Sequence, residues 1–260
     1  MSVKAVKFQN LARHKFVLMK VELFIPCFMD QLYPETAMNT VKILEKAGCT
    51  VQYNPAQTCC GQPAFNSGFW DEAKEIGNKF LNDFSEENVI VSPSASCTGM
   101  VRNYYTDLFK NTTKHNRCRN IQGNIFELSE FLINILQFDY FGAELDGRAV
   151  YHDSCAGLRE CKIKDEPRKL LEKVHGLELM PLNDNETCCG FGGTFAVKFD
   201  GISSAMAQQK VNNAIDAGAE YIISTDASCL LHIQGYIDKQ GLPLKTMHLA
   251  DVLANGWGNV

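Results

Sequence analysis

The feature that most constrains this chain is a repeated arrangement of cysteines. Each half contains a lone cysteine, then an adjacent cysteine pair followed by glycine, then a second lone cysteine. Corresponding members are separated by 128, 129, 129 and 132 residues. The two sets are Cys27, Cys59, Cys60 and Cys97, and Cys155, Cys188, Cys189 and Cys229. Such matching spacing predicts a duplicated structural module.

The residues around the last cysteine of each set support the duplication. The segment Val-Ile-Val-Ser-Pro-Ser-Ala-Ser-Cys97 matches Tyr-Ile-Ile-Ser-Thr-Asp-Ala-Ser-Cys229. Helical patterning gives way to glycine and acidic residues near 138–147, which places the join there. The sequence therefore predicts a first module over 19–140 and a second over 141–260. Residues 1–18 are interpreted as a leader or loose extension, because they lack the apolar core of a signal peptide.

Each half alternates short apolar runs with segments of helical spacing. The runs predict strands at 21–25, 50–53, 89–91, 149–152, 177–180 and 221–224. Helices are predicted at 35–47, 70–84, 124–136, 166–174, 202–217 and 230–239. This alternation is typical of an α/β fold with a mostly parallel sheet in each module. We expect the cysteines to lie in loops at the carboxyl ends of the strands, where α/β proteins bind ligands.

Composition excludes several classes of function. No apolar run approaches the ~18 residues of a membrane span. The net charge is −5, and the first 20 residues hold five basic side chains and no acid, so the remainder carries −10. A body this acidic argues against nucleic-acid binding. Without a secretory signal, the eleven cysteines predict a cytoplasmic protein whose thiols stay reduced for metal or redox chemistry.

Four thiols per half suit either a zinc ion or an iron–sulfur cluster. Structural zinc usually takes cysteines from Cys-x2-4-Cys knuckles, and no two cysteines here are three residues apart. Ligands spread over roughly 70 residues favour a larger cluster. Zinc and inert core cysteines remain the alternatives. Cys49, Cys118 and Cys161 have no counterpart in the other half, and we expect them not to be ligands.

Three stretches resemble a known family. They are Cys59-Cys-Gly-Gln-Pro-Ala-Phe-Asn-Ser-Gly68, Tyr151-His-Asp-Ser-Cys155 and Cys188-Cys-Gly-Phe-Gly-Gly-Thr-Phe-Ala-Val-Lys198. On these motifs the chain resembles the cysteine-rich CCG-domain proteins related to the B subunit of heterodisulfide reductase. The likeness is greatest to the lactate-utilisation A type of iron–sulfur subunit and runs from about Met19 to Trp257.

The resemblance implies a function at the level of a complex. The chain would be an iron–sulfur subunit of an L-lactate dehydrogenase complex, carrying electrons during oxidation of L-lactate to pyruvate. Its partners would be a subunit with ferredoxin-like clusters and a third small subunit. The resemblance also implies up to two clusters, held by the eight repeated cysteines. The alternatives are a cluster-dependent thiol–disulfide reductase subunit and a zinc-binding structural module.

The chain departs from the heterodisulfide-reductase pattern at one place in each half. That pattern ends in Cys-x-x-Cys, whereas Ser94 and Asp226 stand at the first of those cysteines here. Four thiols per half remain, enough for a conventional [4Fe–4S] cluster. Asp226 is a candidate oxygen ligand or a cap for the following helix. The weak catalytic candidates are His152, Asp153 and Asp226. His152 and Asp153 are interpreted as a proton relay or as hydrogen-bond partners of a cluster, or simply as a pair that closes a strand end.

Overall fold

The computed structural model describes residues 19–257 and contains two four-stranded parallel sheets. The first sheet has the strand order β2-β1-β3-β4 and the second the order β6-β5-β7-β8. The strands are β1 (Met19–Leu23), β2 (Cys49–Tyr53), β3 (Val89–Ser92), β4 (Ile125–Glu127), β5 (Glu144–Tyr151), β6 (His175–Met180), β7 (Tyr221–Ser224) and β8 (Lys245–His248). The predicted extension at 1–18 lies outside the described residues.

Helices connect the strands of both sheets. In the first half they are α1 (Cys27–Leu32), α2 (Pro34–Lys46), α3 (Gln62–Asn66), α4 (Trp70–Asp83), α5 (Ala95–Gly99), α6 (Tyr105–Phe109), α7 (His115–Asn124) and α8 (Leu128–Glu130). In the second they are α9 (Asp165–Leu171), α10 (Thr194–Lys198), α11 (Asp200–Asp216), α12 (Ala227–Gln240) and α13 (Leu249–Ala254). Wider π-helical turns cover Met100–Tyr104, Phe131–Leu136 and Ala156–Cys161. Within 19–257, no helix is long and apolar enough to cross a membrane.

The two halves repeat one topology, which confirms the predicted α/β duplication. In each sheet the first strand of the half pairs in parallel with the second and third strands. The equivalence extends to single hydrogen bonds just beyond the first strand. The amide of Phe24 donates to the carbonyl of Val91 at 2.9 Å, and that of His152 donates to Ile223 at 2.9 Å. The exact boundary between the modules, placed at 140/141 from the sequence, stays a prediction.

Two strands depart from the sequence interpretation. The helix predicted at 124–136 is wrong at its start, because Ile125–Glu127 pairs with β3 as strand β4 and the chain becomes helical only from Leu128. Apolar residues at helical spacing also suit a buried strand when the segment is short. Strand β8 was not predicted, since Lys-Thr-Met-His is neither an apolar run nor an alternating pattern.

The halves share one hydrophobic core as well as having cores of their own. The shared core joins Val21 and Leu44 of the first half to Leu170 and Leu253 of the second. Helix α13 packs on α2 across this boundary. There the Asp251 carboxylate accepts hydrogen bonds from Thr36 Oγ1 at 2.8 Å and from Asn39 Nδ2 at 2.9 Å. Helix α13 of the second half is thus held against helix α2 of the first half by both apolar packing and hydrogen bonds.

Strand β4 ends at Glu127, whose carboxyl group is fully buried. We therefore predict that the stability of the protein depends on pH. Burial raises the pKa of Glu127 from 4.5 to about 8, although its carboxyl group accepts a hydrogen bond from the Ser129 amide at 2.8 Å. Its contribution to stability is therefore full below pH 4.5 and is lost as the pH rises through 8. We expect Glu127→Gln to stabilise the protein by roughly 1–3 kcal/mol at pH 8.5 and by much less at pH 5.

Urea unfolding of both proteins at several pH values measures this difference. Glu130 provides a matched control, because it is partly exposed and paired with Arg102 at 2.8 Å. Glu130→Gln should show no gain that grows with pH. An equal effect of Glu127→Gln at pH 5 and pH 8.5 would contradict the prediction.

Candidate metal centre

All eight repeated cysteines line a single cleft between the two halves. The cleft has a volume of about 320 Å³ and is lined in addition by Phe28, Tyr104, Glu160 and Phe191. The cysteines that the sequence assigned to two separate sites are Cys27, Cys59, Cys60, Cys97, Cys155, Cys188, Cys189 and Cys229. The carboxyl ends of both sheets therefore face one common space, which sequence spacing alone does not reveal.

The cysteines reach the cleft from two kinds of position. The adjacent pairs, Cys59-Cys60 and Cys188-Cys189, lie in loops as expected. The other four lie at or near the beginnings of helices instead of in loops, namely Cys27, Cys97, Cys155 and Cys229. Helix starts therefore supply half of the sulfurs in the cleft, and the loops with the adjacent pairs supply the other half.

The glycine after each cysteine pair is required by close packing. Gly61 and Gly190 have φ values of 85° and 96°, in the left-handed region that glycine adopts readily. A Cβ atom would lie 3.1 Å from the Ala73 carbonyl oxygen at Gly61 and 2.6 Å from that of Ser203 at Gly190. Each glycine amide also donates a hydrogen bond to a cysteine Sγ two residues earlier, at 3.3 and 3.4 Å. The Cys-Cys-Gly motif thus turns the chain and aims N–H groups at sulfur.

The thiols within each set are close enough to share protons. Cys60 Sγ lies 3.4 Å from Cys97 Sγ. Hydrogen bonding from Cys27 lowers the pKa of Cys59 to about 3, and hydrogen bonding from Cys155 lowers that of Cys188 to about 2. The pKa values of Cys27 and Cys155 are raised in return. Each half therefore pairs a cysteine whose thiolate is favoured, Cys59 or Cys188, with a lone cysteine whose thiol is favoured, Cys27 or Cys155.

None of the eleven cysteines, all of them within the described part of the chain, forms a disulfide. The reduced state of these thiols in the cell stays a prediction. Close, unpaired thiols around one cleft are a donor set that suits a soft metal ion or an iron–sulfur cluster.

Asp226 does not cap its own helix, which was one of the two roles predicted for it. Its side chain makes no capping hydrogen bond to the α12 backbone. One carboxylate oxygen accepts from the amide of Ser96 at 3.0 Å and the other from Ser228 Oγ at 2.7 Å. The first contact reaches helix α5 in the opposite half. Asp226 therefore joins the two halves at the cleft, with both carboxylate oxygens already engaged.

Asp153 and His152 have contrasting surroundings. Arg168 donates two hydrogen bonds to the Asp153 carboxylate, at 2.8 and 2.7 Å, and Asn185 donates a third at 2.8 Å. Asp153 is thereby held in an ion pair with Arg168, and its role as a proton relay stays a prediction. His152 is fully buried, and neither of its ring nitrogens has a hydrogen-bond partner of normal geometry. One ring nitrogen and the Sγ atoms of Cys189 and Cys229 lie within 4.8 Å of one another.

Sequence reasoning did not identify Lys210 or Glu160. Lys210 is 1% exposed, and its ammonium group donates to the carbonyls of Asp184 and Asn185. Its signal was a lysine among the apolar positions of α11. The Glu160 carboxylate accepts from Tyr104 Oη at 3.3 Å across the cleft. Nothing in the sequence around Glu160 marks it.

The three cysteines without a counterpart in the other half do not line the cleft. Cys49 and Cys118 belong to the hydrophobic cores, and Cys161 is buried at the end of the π-helical turn Ala156–Cys161. Burial raises the pKa values of Cys49 and Cys118 to about 11. The buried Cys161 thiol donates to the Ala95 carbonyl at 3.3 Å. We expect Cys49→Ala, Cys118→Ala and Cys161→Ala to leave the metal content of the purified protein unchanged, as measured by elemental analysis. Loss of metal in any one of them would show that the assignment of the repeated cysteines is wrong.

The repeat matches a known family model. The model of the cysteine-rich domain, CCG, matches residues 21–102 and 149–234. The chain belongs to this CCG cysteine-rich family. Each matched segment covers the cysteine-bearing part of one half and together they contain all eight cysteines of the cleft, whereas the edge strands β4 and β8 lie outside them.

Relatives over almost the whole chain carry a single name. Lactate utilization protein A of Geobacillus kaustophilus is 43% identical over 90% of this chain and 98% of its own length. Lactate utilization protein A of Halalkalibacterium halodurans is 42% identical over 90% of this chain and 96% of its own. The chain is therefore a CCG-domain protein of the group that includes these lactate-utilisation proteins.

A solved structure shares the fold alone. A hypothetical protein from Helicobacter pylori superimposes with a TM-score of 0.63 over 98% of this chain and 54% of that chain. The sequence identity is 11%. The likeness supports the arrangement of two α/β halves.

Proposed function

We propose that this protein is an iron–sulfur subunit of a system that oxidises L-lactate to pyruvate. The observation that carries the proposal is the meeting of eight free thiols at one cleft. A cluster of the [4Fe–4S] type needs four thiolates, and each half supplies four: Cys27, Cys59, Cys60 and Cys97, or Cys155, Cys188, Cys189 and Cys229. Up to two clusters fit this donor set.

The residues around the thiols suit such clusters. Amide N–H groups of Gly61 and Gly190 point at sulfur, and hydrogen bonds to sulfur tune cluster potentials. Cys59 and Cys188 are already disposed to ionise, as thiolate ligands must. A bound cluster would take up and pass on single electrons.

The substrate and partners follow from the relatives' name and the sequence resemblance. The Gly190-Phe-Gly192 stretch is not a dinucleotide fingerprint, because Phe195 stands where Gly-x-Gly-x-x-Gly requires its last glycine. Electrons therefore enter or leave through partners, which we propose to be a ferredoxin-like iron–sulfur subunit and a third small subunit. The complex, acting in the cytoplasm, would take L-lactate as its substrate.

Elemental analysis of protein purified without oxygen tests the cofactor. We expect iron and acid-labile sulfide in equal amounts, up to about eight of each for two cubane clusters, with broad absorption near about 400 nm from thiolate-bound iron. Protein that holds zinc and no sulfide after reconstitution would overturn the proposal.

Growth on L-lactate tests the substrate. A bacterium that lacks its own lactate-utilisation protein A should grow on L-lactate as sole carbon source when it expresses this chain together with the two partner genes from the same source. Expression of a variant with Cys60→Ala and Cys189→Ala should fail to restore growth. If the variant restored growth as well as the unaltered protein does, the cysteines of the cleft would not be needed for lactate utilisation.

A zinc site is the second candidate, and one distance favours it. The two sulfurs of Cys60 and Cys97 are 3.4 Å apart, close to the ~3.8 Å between two thiolates on one tetrahedral zinc ion with bonds of about 2.3 Å. The wide spread of the ligands along the sequence favours the cluster. The same metal and sulfide analysis decides between the two.

A further inference from the structure

The two cysteine sets differ in the buried side chains that occupy equivalent positions near them. The hydrogen bonds from Phe24 to Val91 and from His152 to Ile223 are equivalent, so Phe24 and His152 occupy the same place in their halves. Both side chains are fully buried. The first half therefore has an apolar ring where the second half has an imidazole.

The two halves also differ at a second pair of equivalent positions, on helices α4 and α11. The glycines of the two Cys-Cys-Gly motifs face Ala73 and Ser203 at equivalent points of α4 and α11. Counting seven residues along each helix pairs Phe80 with Lys210. Phe24 and Phe80 pack edge to face with ring centroids 4.9 Å apart. In the second half this aromatic pair is replaced by a histidine and a buried lysine, and the charge of Lys210 acts on His152.

The polar pair faces the sulfurs of the second set. A ring nitrogen of His152 lies within 4.8 Å of Cys189 Sγ and Cys229 Sγ. The charge of Lys210 acts on Cys188, Cys189 and Cys229. The backbone of Asn185 interacts with the His152 ring, but neither ring nitrogen makes a hydrogen bond of normal geometry. A buried N–H group without a well-placed acceptor is costly, and thiolates that carry a metal group are acceptors. The ring of His152 is thus placed to donate to the thiolates of the second set.

Other charges around the cleft do not reverse this difference. Asp153 is neutralised by Arg168. The carboxylate of Asp226 lies beside the second set and acts on Cys155 and Cys229. It accepts hydrogen bonds from the Ser96 amide at 3.0 Å and from Ser228 Oγ at 2.7 Å, and these donors offset part of its effect on the sulfurs. Near the first set, the hydroxyl of the buried Tyr105 donates its hydrogen bond to the Cys60 carbonyl at 2.9 Å, so it does not donate to a sulfur.

We propose that the two sites are unequal, and that His152 and Lys210 make the second site the one of higher reduction potential. An added electron makes a cluster more negative, so a nearby cation and a donated N–H group stabilise the reduced form. An electron that enters this chain then comes to rest at Cys155, Cys188, Cys189 and Cys229. This inference rests on the proposed iron–sulfur function.

Redox titration of the full-length protein, followed by electron paramagnetic resonance, tests the order of the sites. Two variants keep one site each: Cys60→Ala with Cys97→Ala keeps the second, and Cys189→Ala with Cys229→Ala keeps the first. We expect the potential of the second site to exceed that of the first by at least the 59 mV of a tenfold one-electron equilibrium. Equal potentials, or a higher first site, would overturn the inference.

Two further variants test the residues themselves. His152→Phe and Lys210→Met should each lower the reduction potential of the second site by at least about 59 mV, which is a tenfold change in a one-electron equilibrium. The reduction potential of the first site should not change. His232→Asn is the matched control, because its Nε2 is already bonded to Ser203 Oγ at 3.0 Å. If either variant fails to fold, the comparison of the two single-site proteins still decides.

The outcomes separate this inference from the proposed function. Iron and sulfide present with no shift in His152→Phe or Lys210→Met would refute the inference and leave the iron–sulfur function standing. Protein without iron and sulfide would refute the function itself, and the inference with it.

Discussion

Removal of one cysteine from either set will cost the protein about half of its iron and sulfide. The two sets bind separate clusters in our proposal, so Cys60→Ala should abolish the first cluster and Cys189→Ala the second. Both thiols are buried, at 2% exposed, where solvent cannot replace them as ligand. The double variant should contain neither iron nor sulfide. Iron, sulfide and zinc analysis of anaerobically purified proteins measures the losses.

Cys118→Ala is the matched control for these variants, because Cys118 is just as buried yet belongs to helix α7 and packs in the core of the first half. It should keep its full iron content. If Cys60→Ala or Cys189→Ala alone removed all of the iron, the eight cysteines would hold a single shared group. That result would contradict the division into two sites.

Protein freed of its metal will remain folded and will melt in one cooperative transition. The reason lies in the cores, which include fully buried side chains from both sheets such as Val21, Ile90, Val150 and Ile222. A domain of this size buries most of its apolar surface without help from a metal. Reconstitution should raise the melting temperature, because a ligand that binds only the folded state stabilises it.

Differential scanning calorimetry of cluster-free and reconstituted protein, both under argon with a thiol reductant, measures the effect. The reductant matters because adjacent thiols form disulfides once exposed to air. Val150→Ala offers a control that weakens the core without touching a cysteine, and it should lower both melting temperatures by a similar amount. A cluster-free form with no cooperative transition would show that the metal holds the fold together.

The repeated cysteines made the duplicated fold predictable from the sequence. Spacing survives in the sequence because each cysteine is tied to a strand end, and strand ends recur with the module. The short strands β4 and β8 were missed or misplaced for a different reason. They extend each sheet at the edge farthest from β2 or β6, and their pairing partners, not their own residues, make them strands.

The site was predictable in composition and not in arrangement. Periodicity describes neighbours along one element, so it cannot show that two modules turn their cysteines toward one cleft. The same limit applies to Asp226, whose partner Ser96 is 130 residues away. His152 was singled out because it adjoins a cysteine. Its isolation from hydrogen-bond partners and its nearness to Lys210 depend on contacts between distant segments.

The contact of helix α13 with helix α2 has a consequence for how the protein folds. Helix α2 shares a core with Leu249, Val252 and Leu253, and its residues donate to the Asp251 carboxylate over separations of 215 and 212 residues. Contacts between segments this far apart form late, because the intervening chain must first be brought together at a cost in entropy. The two halves therefore complete their fold together, and the first half alone lacks part of its core.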